Sequence, residues 1–318
     1  FCQSGVDAFL GLLDALIDRL ADILEKTSAE VEITSADIFR PTRDGGFKPL
    51  LRRLGRSQSI TAKTRSSLVS LARLSPRAPS SVLFLAYLAL LPVYCLALAG
   101  GATAMVWWLT LAIPIGLCAA MFAHALERRG LAAALALFVT GGAITLAAEA
   151  LGAGTGIPFG AYAYADTLGP MAFGLVPWLI PIAWCGMLYP AWTLAGVVTT
   201  RPLPRVIVAA LAMTAWDLSL DPRMVSEGHW TWAGGGPYFG VPLSNFVGWA
   251  ITAALVYAVW TWIERRRPPR PELPGLMPLP LTAYGMVWLG EAIANAIFWA
   301  GPRVGLCVFV GMGIFVGL

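Results

Sequence analysis

From residue 82 onward the chain is a series of apolar runs separated by short polar breaks. The runs are 82–101, 104–124, 131–150, 174–198, 204–220, 243–263, 281–300 and 303–318. Most are near the ~20 residues that a helix needs to cross a bilayer. They lack a polar face, and only helices or closed barrels satisfy their own backbone in hydrocarbon. The predicted fold class is therefore all-α: a polytopic membrane helix bundle with about seven or eight transmembrane helices, preceded by a non-membrane N-terminal segment.

That segment has two parts. Residues 5–25 carry Asp14, Asp18 and Asp22 as one acidic stripe, with Leu10, Leu13, Leu16, Ile17, Leu20 and Leu24 towards the other side. An acidic face is repelled by anionic lipid. Residues 1–39 thus read as an amphipathic helical segment, either meeting a partner helix or ending an upstream domain, fused or associated. Residues 40–81 have ten basic residues against Asp44, with many Ser and Pro. They read as a basic, disordered linker. Residues 82–318 form the membrane domain. The chain opens on Phe1 and ends inside an apolar run, which reads as a piece of a longer polypeptide.

Composition agrees with a membrane protein. Hydrophobic residues make up 58% of the 318 and charged residues 13%, about half the charged share of a soluble domain. Mean hydropathy is +0.70. The net charge of +4 comes largely from short loops, and it reads as topology rather than nucleic-acid binding. Basic residues precede residue 82 and recur at Arg128/Arg129, Arg201/Arg205 and Arg265/Arg266/Arg267/Arg270, which is every second connection. The positive-inside rule places these loops, and the N-terminal segment, in the cytoplasm of a cell-membrane protein. The loops 151–173 and 221–242 then face outward. The five cysteines are scattered and form no CxxC or Cys/His cluster, so neither a zinc site nor a disulfide framework is expected.

Those two outward stretches carry the candidate chemistry. The first is Glu149–Tyr164, EALGAGTGIPFGAYAY. The second is Trp216–Trp249, WDLSLDPRMVSEGHWTWAGGGPYFGVPLSNFVGW. Each sets carboxylates among Gly, Pro and aromatics at the end of an apolar run. Carboxylates at hydrocarbon depth are rare without a task. Glu149 reads either as a headgroup-level side chain or as an acid that keeps its proton in low-dielectric surroundings. Asp217 and Asp221 are spaced i, i+4, so a continuous helix puts both on one face. Like charges that close favour one shared proton. Pro222 is expected to end the helix after Asp221. Alternatively, Asp217 pairs with Arg223, and Asp221 is a capping or turn residue. The mid-span Glu291 has Asn295 four residues on as a partner or water-orienting amide. His229 lies beside Trp230, and Arg223 and His229 count with Glu291 and Asn295 as candidate supporting residues. Tyr162, Tyr164, Trp230, Trp232, Tyr238, Phe239, Asn245 and Trp249 are candidate substrate contacts. Their aromatics form either an interfacial belt or a channel for a flat polyene whose walls stabilise a cation. No metal ligands are expected, and no cofactor.

Together the two stretches resemble the membrane-integral carotenoid biosynthesis hydratases. The resemblance rests on Glu149, Gly152, Thr155, Gly156, Phe159, Gly160, Tyr162 and Tyr164 in the first. In the second it rests on Asp217, Asp221, Pro222, Gly228, Trp230, Trp232, Gly236, Tyr238, Phe239, Gly240, Pro242, Asn245, Phe246, Gly248 and Trp249. It spans about residues 82–318. It implies addition of water to the acyclic ψ end of a carotenoid held in the bilayer, a hydro-lyase reaction giving a tertiary alcohol. By chemistry, Asp217 or Asp221 is then the acid and Glu149 positions water, or the division is reversed. A membrane prenyltransferase using Mg-diphosphate is a rival reading of Asp217-x3-Asp221. It needs further acidic and basic residues, where this face offers Arg223 and Arg303. A transporter or lipid-binding protein with a carboxylate proton relay is a second rival.

Overall fold

The computed structural model describes residues 79–266 and 279–317. The amphipathic helix expected over 5–25, most of the basic linker and Arg267–Arg270 lie outside these. The described residues form eight helices: α1 (Pro79–Ala99), α2 (Thr103–Arg129), α3 (Leu131–Thr155), α4 (Leu179–Val198), α5 (Pro202–Ser226), α6 (Leu243–Arg266), α7 (Leu279–Ile297) and α8 (Pro302–Val316). They fall on the eight predicted runs. Six of them, α1 to α6, are long and apolar enough to cross a membrane. The protein has the architecture of an integral membrane helix bundle.

Helix α4 is the axis of the bundle. In its apolar window 72% of residues are buried, against 22–44% in the other five. It packs against α2, α3, α5 and α7. The other helices turn large apolar side chains outward, among them Leu96, Val139, Leu211 and Ile251. Outward Leu and Ile are costly in water and comfortable against lipid, so the inside-out pattern follows from the solvent.

Three predicted boundaries move, each for a local reason. The run 174–198 is helical only from Leu179. Before it, Met171–Ala172 (β2) and Val176–Pro177 (β3) make a two-stranded antiparallel hairpin. Helix α3 continues past residue 150 to Thr155, where Gly156 caps it at φ 80° and donates its N–H to the Gly152 carbonyl at 2.7 Å. Glu149 therefore sits inside a helix, not at its end. The third is Pro222, which does not end α5; the helix runs on to Ser226. A proline here lacks the N–H that would bond the carbonyl four residues back, at Leu218. The Tyr238 hydroxyl donates to that carbonyl instead, at 3.0 Å. A side chain from the following loop thus replaces the lost backbone bond.

One end of the bundle gathers the basic loops. Arg129, closing α2, and Arg205, opening α5, both pair with Glu264 of α6, at 2.6 and 2.7 Å. Trp192 Nε1 also donates to Glu264 at 2.7 Å, and the Arg205 guanidinium stacks on the Trp192 ring at 3.7 Å. At the start of α1, Ser80 bonds Glu127 through both N–H and Oγ, at 2.9 and 2.7 Å. The chain therefore enters α1 beside the end of α2. The predicted alternation of basic connections corresponds to one shared end.

Tyr238→Phe removes the donor that replaces the proline N–H. Leaving a buried carbonyl unpaired costs about 1–3 kcal/mol. Thermal unfolding in detergent is expected to show a lowered Tm for this variant, and no change for Phe239→Leu, whose ring is partly exposed.

Candidate functional site

At the end of the bundle away from Glu264, the two motif stretches meet through a second antiparallel pair. Tyr162–Tyr164 (β1) pairs with Trp230–Trp232 (β4), with Tyr162 opposite Trp232 and Tyr164 opposite Trp230. Side chains alternate across a strand, so Ala163 and Thr231 face out. The four aromatic rings face in, over the carboxylates. The alternations Tyr-Ala-Tyr and Trp-Thr-Trp were the sequence signal for these strands. They went unread in a chain otherwise helical.

The loop into β1 is held by close packing. Phe159, 1% exposed, is wedged between α3 and α6. A Cβ on Gly248 of α6 would lie 2.6 Å from its ring, and one on Gly152 of α3 would overlap it. Trp232 Nε1 donates to the Phe159 carbonyl at 3.0 Å.

Three carboxyl groups converge beneath the strands. Glu149 Oε2 accepts from the hydroxyls of Tyr162 and Tyr164, at 2.6 and 2.7 Å, and Oε1 accepts from Trp184 Nε1 at 3.2 Å. Burial, then the neighbouring Glu149 carboxylate, push both phenols well above their ordinary range. They are O–H donors at any physiological pH. Across the pocket, Asn245 Nδ2 of α6 donates to Asp217 Oδ2 at 2.7 Å and to Asp221 Oδ2 by a shorter bond. Trp230 Nε1 donates to Asp221 Oδ1 at 3.1 Å. The expected i, i+4 placement on one helical face therefore holds, and the alternative pairing of Asp217 with Arg223 does not.

Glu149, Asp221 and Asn245 line a pocket of about 30 Å³, walled by Tyr162, Tyr164, Trp230, Trp232 and Trp249, and also by Trp184 and Trp216. That volume holds one or two water molecules. Trp184 stacks on Trp249 at 4.0 Å, and Trp216 meets Trp249 edge-on at 5.8 Å. The Trp216 indole N–H is buried and unpaired among the described residues. Through Ile180, Ala183, Trp216, Leu220 and Trp230, this pocket shares a wall with a larger, mostly apolar cavity of about 100 Å³ between α2, α4, α5 and α7.

The other candidates lie apart. Arg223 and Glu291 line the larger cavity, 3.9 Å from each other. Arg223 also bonds Tyr94 at 2.7 Å and stacks on Trp299 at 3.7 Å. Asn295 is the partner of Glu291, donating to its carbonyl at 3.0 Å. His229 bonds Thr167 at 2.7 Å and lies 3.4 Å from Glu227, away from the three carboxylates. Burial opposes the charge on Glu227, but His229 and Arg223 together hold it below the ordinary range. Tyr238 serves α5 as described, and Phe239 packs edge-on against it at 4.9 Å. Trp184 was missed as a site residue. It sits within an apolar run of α4, where nothing in the local sequence marks it. Among the described residues, no group of three His, Cys, Asp or Glu side chains is arranged to hold a metal ion.

Known proteins give the chain a family. The family described as carotenoid biosynthesis protein matches residues 85–317. The chain belongs to that family. It is also 27% identical over 212 residues to the bisanhydrobacterioruberin hydratase of Haloarcula japonica, covering 64% of this chain and 69% of the relative. No solved structure matches.

Gly248→Ala tests the packing that seats the strands. The added methyl group has no room against Phe159, and such overpacking costs about 1–3 kcal/mol. A lower Tm is expected than for Gly154→Ala, where a Cβ meets open space.

Proposed function

We propose that the protein adds water across the terminal 1,2 double bond of an acyclic carotenoid end group, giving a tertiary alcohol. The observation that carries this reading is the water-sized pocket lined by Glu149, Asp221 and Asn245, which shares a wall of aliphatic and indole side chains with an apolar cavity. Membership of a carotenoid biosynthesis family and similarity to a hydratase support it.

Each part has a task in such a reaction. Protonation at carbon 2 of a 1,1-dimethyl alkene gives a tertiary cation at carbon 1, which water captures. The acid is a carboxyl group of the Asp217/Asp221 pair, and Glu149 orients the water and takes its proton. Trp184, Trp216 and Trp249 line the pocket, and aromatic rings stabilise a nearby cation. The apolar cavity, of about 100 Å³, receives the terminal isoprenoid unit beside the wall it shares with the carboxylate pocket, and the rest of the polyene extends towards the bilayer. The reaction changes no oxidation state.

The orientation is part of the same proposal. The N-terminal segment and the loop after Arg266 are cytoplasmic, and the carboxylates lie towards the extracytoplasmic face of the cell membrane. An impermeant thiol reagent applied to intact cells is expected to leave Arg267→Cys unlabelled until the cells are opened. Labelling in intact cells overturns the orientation.

Cells making lycopene or γ-carotene are expected, on expressing the chain, to accumulate a product heavier by one water. Asp221→Asn lowers its yield by ~10²–10⁴-fold, the usual worth of a general acid. An unchanged carotenoid profile contradicts the proposal. Activity lost to EDTA and restored by Mg²⁺ points instead to diphosphate chemistry.

A further inference from the structure

The carboxyl groups differ in exposure to the pocket and in the donors they hold, and these differences divide the labour among them. We infer that Asp217 and Asp221 hold one proton in common, that Asp221 delivers it to the substrate, and that Asp217 is a positioning residue. Glu149 is the acceptor of the water proton. The inference rests on the hydration reading and goes further by assigning the acid.

Access decides which group touches the substrate. Asp221 and Glu149 line the pocket, whereas Asp217 is wholly buried and does not. A group that protonates carbon directly must reach it, so Asp217 acts only through its neighbour.

Hydrogen bonding decides where the proton rests. Glu149 receives three donors, and two of them, Tyr162 and Tyr164, occupy Oε2. A proton on that oxygen competes with the two phenol hydrogens for its lone pairs. Oε1 holds Trp184 alone and keeps a lone pair for water. Asp221 receives two donors, from Asn245 and Trp230. Asp217 receives one, and its Oδ1 accepts nothing among the described residues. The two aspartyl groups are within hydrogen-bonding reach of each other. Both are gripped by the same Asn245 nitrogen, which offers one N–H to each. Two adjacent carboxylates without a cation share a proton. The nearest guanidinium along the helix, Arg223, is committed to Glu227, Tyr94 and the Trp299 ring.

The step balances. The alkene π pair takes the Asp221 proton and forms the new C–H bond at carbon 2. A water lone pair forms the C–O bond at carbon 1. The oxonium proton passes to Glu149 Oε1 and returns to the aspartyl pair through pocket water. One alkene and one water become one alcohol, and the site regains its proton without an outside supply.

The titratable groups facing Asp221 are Asp217 on its own helix, Glu149 from α3, and Tyr162 and Tyr164 from β1. Asn245 of α6, Trp230 of β4 and Trp184 of α4 also face this cluster, and none of them titrates.

The test is kcat and KM for alcohol formation by the wild-type chain, Asp217→Asn, Asp217→Glu and Asp221→Asn in lipid vesicles. Asp217→Asn keeps the volume but removes the second carboxyl group, and kcat is expected to fall ~10-fold or more with KM unchanged. Asp217→Glu restores a carboxyl group and is expected to recover part of that loss. Asp221→Asn is expected to lose ~10²-fold or more. Full activity in Asp217→Asn, or a loss in Asp217→Glu as large as in Asp217→Asn, makes Asp217 structural and overturns the division. So does retained activity in Asp221→Asn. A wild-type chain that makes no alcohol removes the hydration reading itself, and this division with it.

Discussion

Burying three carboxyl groups in a helix bundle is the constraint on which the rest of the site depends. In hydrocarbon each must find donors from the protein. Among the described residues none of the three has a lysine or arginine partner; tyrosine hydroxyls, indole N–H groups and an amide supply the hydrogen bonds. A guanidinium would have made stable ion pairs and spoiled a proton donor. Like charges about 4 Å apart repel by about 4 kcal/mol at an effective dielectric of ~20. Neutral donors leave that repulsion in place. At the opposite end the choice is reversed, and Glu264 is saturated by two arginines.

The donors explain the irregular backbone. Glu149 lies on α3, and its phenol partners come from β1. Asp221 lies on α5, and its indole partner comes from β4. Pairing β1 with β4 brings both sets over one pocket, and Phe159 between two glycines fixes the approach. The unbroken path of α5 through Pro222 carries the helix past both aspartates to Arg223, which turns to Tyr94 and Trp299. The fold and the site are one hydrogen-bonded assembly.

Much of this was legible in the sequence. Runs of the right length gave eight helices, and the spacing of Asp217 and Asp221 gave a shared face. Asn245 and the aromatic residues of both stretches were also picked out, because Gly, Pro and carboxylates at the ends of apolar runs are conspicuous. Long-range pairing was not legible. Nothing local shows that Tyr238 repairs the proline break, that Trp184 reaches Glu149, or that Asp217 lies behind Asp221 rather than in the pocket. His229 and Phe239 were drawn in by proximity along the chain, and the fold carries them elsewhere. Burial and partner choice are tertiary properties, and sequence patterns report mainly period and length.

The central claim is that both the new hydrogen and the new oxygen come from water. Isotope labelling of the product tests it most directly. Purified protein in lipid vesicles, supplied with an acyclic-ended carotenoid in D2O enriched in oxygen-18, is expected to yield a tertiary alcohol carrying one oxygen-18 at carbon 1 and one deuterium at carbon 2. An alcohol whose oxygen derives from dissolved O2, or one with no deuterium at carbon 2, contradicts the account.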